Sequence, residues 1–151
     1  MKKFKFTLQS VHQVREMREE NEQMELSRLK NDERLAAEKI AQIDQLRQEA
    51  IRQYGAKLES GKPVNAYELE MNFNHISNLD RLRQQAVETL EQKKLACQRQ
   101  SSAVAAANRA VKITSRLRET QEKRHKSEAD RHEQNAVDEL VSANFARRMT
   151  K

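Results

Sequence analysis

Four histidines and one cysteine are the side chains of this 151-residue chain best suited to holding a metal or attacking a substrate. Zinc requires His and Cys ligands converging at short, regular spacings. His12, His75, His125 and His132 are scattered; only His125 and His132 share a helical face, seven residues apart, and no cysteine joins them. They read as solvated surface histidines, and no metal is expected. Cys97 has no basic environment on its own face and reads as a small core residue, not an activated nucleophile. Acids are plentiful, 23 in all, but acid–base catalysis needs a pocket that shifts their pKa values, and the elements derived below offer none. Neither glycine has the companion that a phosphate-cradling loop requires. No enzyme motif emerges, and neither catalysis nor a cofactor is expected.

Composition dictates what kind of scaffold carries these residues. The chain is 34% charged, 36% hydrophobic and 4% aromatic, with no Trp, two Gly and one Pro. A compact domain typically holds about 45–50% apolar residues, with Gly near 7% and Pro near 5%. Hairpins of strands need far more turn residues than this chain has. Disordered chains are rich in Pro, Gly and Ser, and this one is not. Ala, Leu, Glu, Gln, Lys and Arg dominate, all strong helix formers, so long paired helices are expected. A single cysteine precludes an internal disulfide framework and suits a reducing compartment. No apolar run approaches the roughly 18–20 residues that cross a bilayer. The opening MKKFKFTLQSVHQVRE lacks a secretory apolar block and is expected to belong to the mature protein.

The three chain-breaking residues, Gly55, Gly61 and Pro63, fall in one window. Gly61 can take the left-handed conformation that ends a helix, and Pro63 cannot continue one. Asn65 offers an N-cap acceptor, with Glu68 three residues on as in a capping box. One domain spanning 1–151 is expected, with helix 1 over about 4–59, a loop over about 60–65 and helix 2 over about 66–147. At 1.5 Å per residue the helices would be on the order of 80 and 120 Å long.

So short a loop makes the helices antiparallel neighbours. Leu26, Leu29, Ala36, Ile40, Ile43, Ala50 and Tyr54 follow steps of three and four, interrupted by Glu33 and Arg47. Leu69, Phe73, Ile76, Leu79, Ala86, Leu90, Cys97, Val104, Ala107 and Val111 form the matching stripe. This narrow seam predicts an all-α, antiparallel two-helix coiled-coil hairpin.

Folding about residue 62 places residue x beside about 124 − x, to within half a heptad. Acidic positions 16, 19, 20, 22 and 25 then lie beside 92–118, a stretch with seven Lys and Arg and no acid. Opposite charges along the seam would select this alignment and satisfy much of the basic run internally. Helix 2 is expected to outlast helix 1 by roughly 25–30 residues. From Arg118 to Asn135 its one apolar residue is Ala129, and pairs such as Glu119–Lys123, Glu122–Lys126 and Glu128–His132 would support it. Val137, Leu140, Val141 and Phe145 then restore a stripe with nothing obvious to cover it, which marks a docking surface. Lys2, Lys3, Lys5, Arg147, Arg148 and Lys151 are expected to gather at that end.

A net charge of +6 admits acidic partners, anionic membranes or nucleic acid. Basic charge without interleaved aromatics is weak for nucleic acid, so none is expected as partner. The Lys2-Lys3-Phe4-Lys5-Phe6 patch is equally thin as a membrane anchor.

Two terminal motifs carry a resemblance. The opening Phe4-Lys-Phe-Thr-Leu8-Gln-Ser-Val11-His-Gln-Val14-Arg15-Glu16 resembles the start of the FliJ family, stalk proteins of flagellar export. The closing Glu128-Ala-Asp-Arg131-His-Glu133-Gln134-Asn-Ala-Val-Asp138-Glu139 looks like that family's charged C-terminal signature, and the hairpin between them matches in length and charge. The resemblance implies a hairpin similar to the central stalk of rotary ATPases, with an overhanging C-terminal helix. It further implies a non-enzymatic component of the type III export apparatus at the cytoplasmic face of the bacterial inner membrane. The paired-termini end would enter a hexameric export ATPase and promote its assembly and activity. The hairpin would also contact the export gate and export chaperones.

Candidate ATPase contacts are Arg124, Arg131, Glu133, Gln134, Asp138 and Glu139, joined by Leu140 and Phe145 from the stripe. Candidate gate contacts are Tyr54, Phe73, Ile76 and Leu79, the densest large-apolar cluster near the loop, which also reads as plain interhelical core. A stalk of a virulence-type secretion system or rotary ATPase, a scaffold coiled coil and a nucleic-acid-binding hairpin are the alternatives.

Overall fold

The computed structural model describes residues 3–149 and is an all-α helical hairpin. Helix α1 spans Gln9–Glu59 and helix α2 spans Ala66–Met149. Among the described residues there is no strand. The reversal is built as its residue types demand. Gly61 has φ of 68°, the left-handed value that a Cβ disfavours. The Ser60 hydroxyl donates to the Lys57 carbonyl at 2.8 Å, satisfying one orphan acceptor at the end of α1. Asn65 Oδ1 accepts from the Tyr67 N–H at 3.2 Å and so caps α2.

The contacts divide the chain into two compact units, Met1–Glu20 with Ala105–Lys151, and Asn21–Val104. In the second unit Ile43, Leu79, Ala86 and Cys97 are buried, and Leu26, Leu29, Ala36, Ile40, Ala50, Leu90 and Val104 are half-buried along the same seam. The seam position before Ile76 is the half-buried Asn72, whereas Phe73 is 71% exposed. Steps of three and four from Leu69 lead through residues 72, 76 and 79, so the bulkier Phe73 stands one residue off the seam. At the seam and its edge, Arg47 meets Asp80 at 2.5 Å and Arg83 meets Asp44 at 2.7 Å. These reciprocal exposed pairs fix alignment more than they add stability, about 0–1 kcal/mol each.

In the first unit the two helices meet through polar residues. His12 and Thr114 are buried, with Nδ1 of the ring 2.7 Å from the threonine hydroxyl. The His12 Nε2 lies 3.1 Å from Glu16 Oε1. Both ring nitrogens therefore have a partner, and the Thr114 hydroxyl also donates to the Val111 carbonyl of its own helix at 3.0 Å. Arg15 donates to the Ala110 carbonyl at 2.9 Å, and the Asn108 amide donates to Glu19 at 2.6 Å. Among the described residues no buried side-chain polar atom lacks a partner. His12 is therefore not a solvated histidine. Steps of three and four counted back from Leu26 reach 22, 19, 15 and 12, which places it in the seam.

Helix α1 begins at Gln9, not near residue 4: Lys3–Phe6 is non-helical and a turn at residues 7–8 leads into the helix, with the Gln9 N–H donating to the Phe6 carbonyl at 3.2 Å. Lys3 and Lys5 are exposed, Phe4 is half-buried and Phe6 is buried, the alternation of a strand-like segment. The Phe4 ring lies 5.7 Å from the His125 ring, so His125 is also not fully solvated.

Candidate functional site

The first candidate site is the end of α2. Its half-buried positions continue as Gln121, His125 and Ala129, and every residue from Arg131 to Met149 is exposed. The uncovered helix is therefore shorter than an overhang starting near 118, because the Phe4–Phe6 segment covers part of it. Val137, Val141 and Phe145 stand at intervals of four on one line, with Leu140 at its flank. Leu140 and Phe145 are 66% and 65% exposed. A lone helix has no intramolecular neighbour to bury such a stripe, so it presents roughly a few side chains' worth of unclaimed apolar surface.

Arg124, Arg131, Glu133, Gln134, Asp138 and Glu139 are all exposed on the same helix. None of them makes an ion pair or hydrogen bond among the described residues. Nor do the expected pairs Glu119–Lys123, Glu122–Lys126 and Glu128–His132 close there. Five of the six polar candidates thus offer charges that solvent alone satisfies. The expected basic cluster is not assembled. Lys3 and Lys5 flank Phe4 beside His125, about 33 Å along the helix from Arg147 at 1.5 Å per residue. Lys2 and Lys151 lie outside the described residues.

The second candidate site lies near the loop, within the other unit. Tyr54 and Ile76 are half-buried and Phe73 is exposed, but Leu79 is 5% exposed and belongs to the seam. Leu79 supports this surface from beneath instead of forming it. Ile51, 43% exposed, follows the seam position Ala50 as Phe73 follows Asn72. Residues just after the seam on two antiparallel helices face the same side, so Ile51 and Phe73 share one face. Reading the stripe alone leaves Ile51 out, since it lies off the heptad.

Charge along the seam differs from the expected arrangement. Glu19 receives the Asn108 amide and Glu22 receives that of Gln100, at 2.6 and 2.5 Å. Lys93 meets Asp32 at 3.7 Å, while Arg99, Arg109, Lys112, Arg116 and Arg118 have no partner among the described residues. Asn108 and Gln100 are half-buried at the seam and reach these carboxylates directly, whereas the five cations stand exposed to solvent. Burial raises the Cys97 pKa, and hydrogen bonding and charge from Glu33 raise it further, so the thiol is disfavoured as a thiolate. Among the described residues, no three His, Cys, Asp or Glu side chains converge as a metal-binding group. No helix among them is long and apolar enough to cross a membrane.

A family model described as "Flagellar FliJ protein" matches residues 4–150. Comparison with curated proteins and with solved structures gave no match.

Proposed function

The chain belongs to the FliJ family of flagellar export proteins, and from that premise we propose that it is a non-enzymatic stalk of the export ATPase. The end of α2 enters the central opening of the hexameric ATPase and promotes ring assembly and hydrolysis. The uncovered run from Arg131 to Met149 carries this reading, because it pairs an apolar line with charges of both signs, of which Arg131, Glu133, Asp138 and Glu139 have no partner among the described residues. A stalk tip inside a ring gains from many weak polar contacts around a small apolar anchor. Leu140 and Phe145 supply the anchor; Arg124, Arg131, Glu133, Gln134, Asp138 and Glu139 supply the polar contacts.

Near the loop, Phe73 with Tyr54 and Ile76 contacts the cytoplasmic domain of the export gate, with Leu79 holding their backbone in place. Export chaperones are further partners. The protein works at the cytoplasmic face of the bacterial inner membrane through these contacts.

Removing residues 131–151 tests the ATPase contact. Stimulation of the cognate export ATPase should be lost while circular dichroism still reports a helical hairpin. Undiminished stimulation by the truncated chain would contradict the reading.

A further inference from the structure

The unit formed by the start of α1 and the second half of α2 has two unlike faces. Val11 and Val14 stand one residue before the seam positions His12 and Arg15, and Ile113 stands one before Thr114. Leu117 lies four residues beyond Ile113. Residues just before the seam on two antiparallel helices face the same side. These four side chains therefore share one face, and all are exposed, Val14 and Ile113 to 64% each. Ala106 and Ala110 precede Ile113 on the same face of α2, and their small side chains leave room there for a third backbone to approach.

Charge on that face has one sign. Arg18 follows Val14 by one helical turn, and Arg109 and Arg116 bracket Ile113 on its own helix. None of these guanidiniums has an ion pair or hydrogen bond among the described residues. Of the acids of the same stretch, Glu19 lies in the seam against Asn108, and Glu16, Glu20, Glu119 and Glu122 stand at heptad positions on the opposite side. An apolar groove edged only by unpaired arginines is complementary to a helix whose apolar stripe is edged by carboxylates.

We propose that this face docks an acidic amphipathic helix from another protein, completing a local three-helix bundle. Its stripe packs on Val11, Val14, Ile113 and Leu117, and its flanking Asp or Glu residues meet Arg18, Arg109 and Arg116. A second copy of this chain is a poor occupant, because a two-fold pairing would set these arginines against their own equivalents. An anionic membrane is also a poor one: the face carries no aromatic side chain to seat at the headgroup level. This surface is separate from the C-terminal tip and does not depend on the stalk reading.

The test uses the full chain and a labelled synthetic helix with leucines along one stripe and glutamates on both flanks. Fluorescence anisotropy should show binding that weakens as salt rises. Ile113→Glu, confirmed helical by circular dichroism, should weaken it at least about tenfold. Arg109→Glu, which leaves the apolar groove intact, should also weaken it, and Glu20→Gln on the opposite face should not. The same peptide with lysines in place of glutamates should bind far less well. Equal binding of the two peptides, or Ile113→Glu binding like the unaltered chain, would overturn the proposal. So would a concentration-dependent mass abolished by Ile113→Glu, which marks a self-association face. Capture on phosphatidylglycerol vesicles without peptide binding would overturn it in favour of a lipid surface.

Discussion

At the residue scale, the side chains that look most like chemistry serve packing. His12 takes the place of an apolar seam residue by satisfying both ring nitrogens, one on Thr114 and one on Glu16. Replacing it with alanine leaves the Thr114 hydroxyl without its cross-helix partner and opens a gap in a thin seam. His12→Ala should cost about 1–3 kcal/mol, read as a lower denaturant midpoint. Cys97 behaves differently. Its pKa is raised on folding, first by burial and then by Glu33. The folded chain therefore holds that proton longer than the unfolded chain does. The associated stability is complete below the unfolded thiol's pKa and is lost as pH rises through the folded one. Denaturant midpoints between about pH 8 and 10 should fall more steeply for the unaltered chain than for Cys97→Ala. Parallel profiles would contradict the assignment.

At the scale of elements, what could be read from sequence depends on how each element is specified. The reversal was legible because Gly61, Pro63 and Asn65 each do one local job, and the structure uses Gly61 and Asn65 accordingly. The stripe from Leu26 to Tyr54 was legible because its residues are apolar. Toward the N-terminus the heptad passes to Glu22, Glu19, Arg15 and His12, where counting apolar residues finds nothing though the spacing continues unbroken. Phe73 shows the converse: the larger side chain draws attention while Asn72 occupies the seam. The Lys3-Phe4-Lys5-Phe6 segment carries a period of two that a helical reading passes over. Phe6 is the anchor of that segment, buried at the start of the chain. Phe6→Ala should cost about 2 kcal/mol, less than the usual range for a core phenylalanine because a terminal segment can detach instead of leaving a cavity. Hydrogen exchange should then speed up in α2 around residues 118–129, with the Asn21–Val104 unit unaffected. Uniform loss of protection along the chain would show that Phe6 supports the whole hairpin.

At the scale of the whole molecule, the chain belongs to a family of the flagellar export apparatus, and the proposed contacts with that apparatus are surfaces. The candidate residues were legible as types in the sequence, but their availability was not. The structure leaves Arg131–Met149 uncovered and withdraws Leu79 into the seam. The absence of partners for the charges at that end was also hidden, because helical spacing alone places Glu119 and Lys123 within reach of each other without requiring them to pair.

The most direct test of the stalk account is the hydrolysis rate of the cognate export ATPase as this protein is titrated in. A stalk that helps a ring assemble should raise the rate and saturate near one chain per hexamer. No rise with an ATPase shown to be competent, or a rise that never saturates, would contradict it.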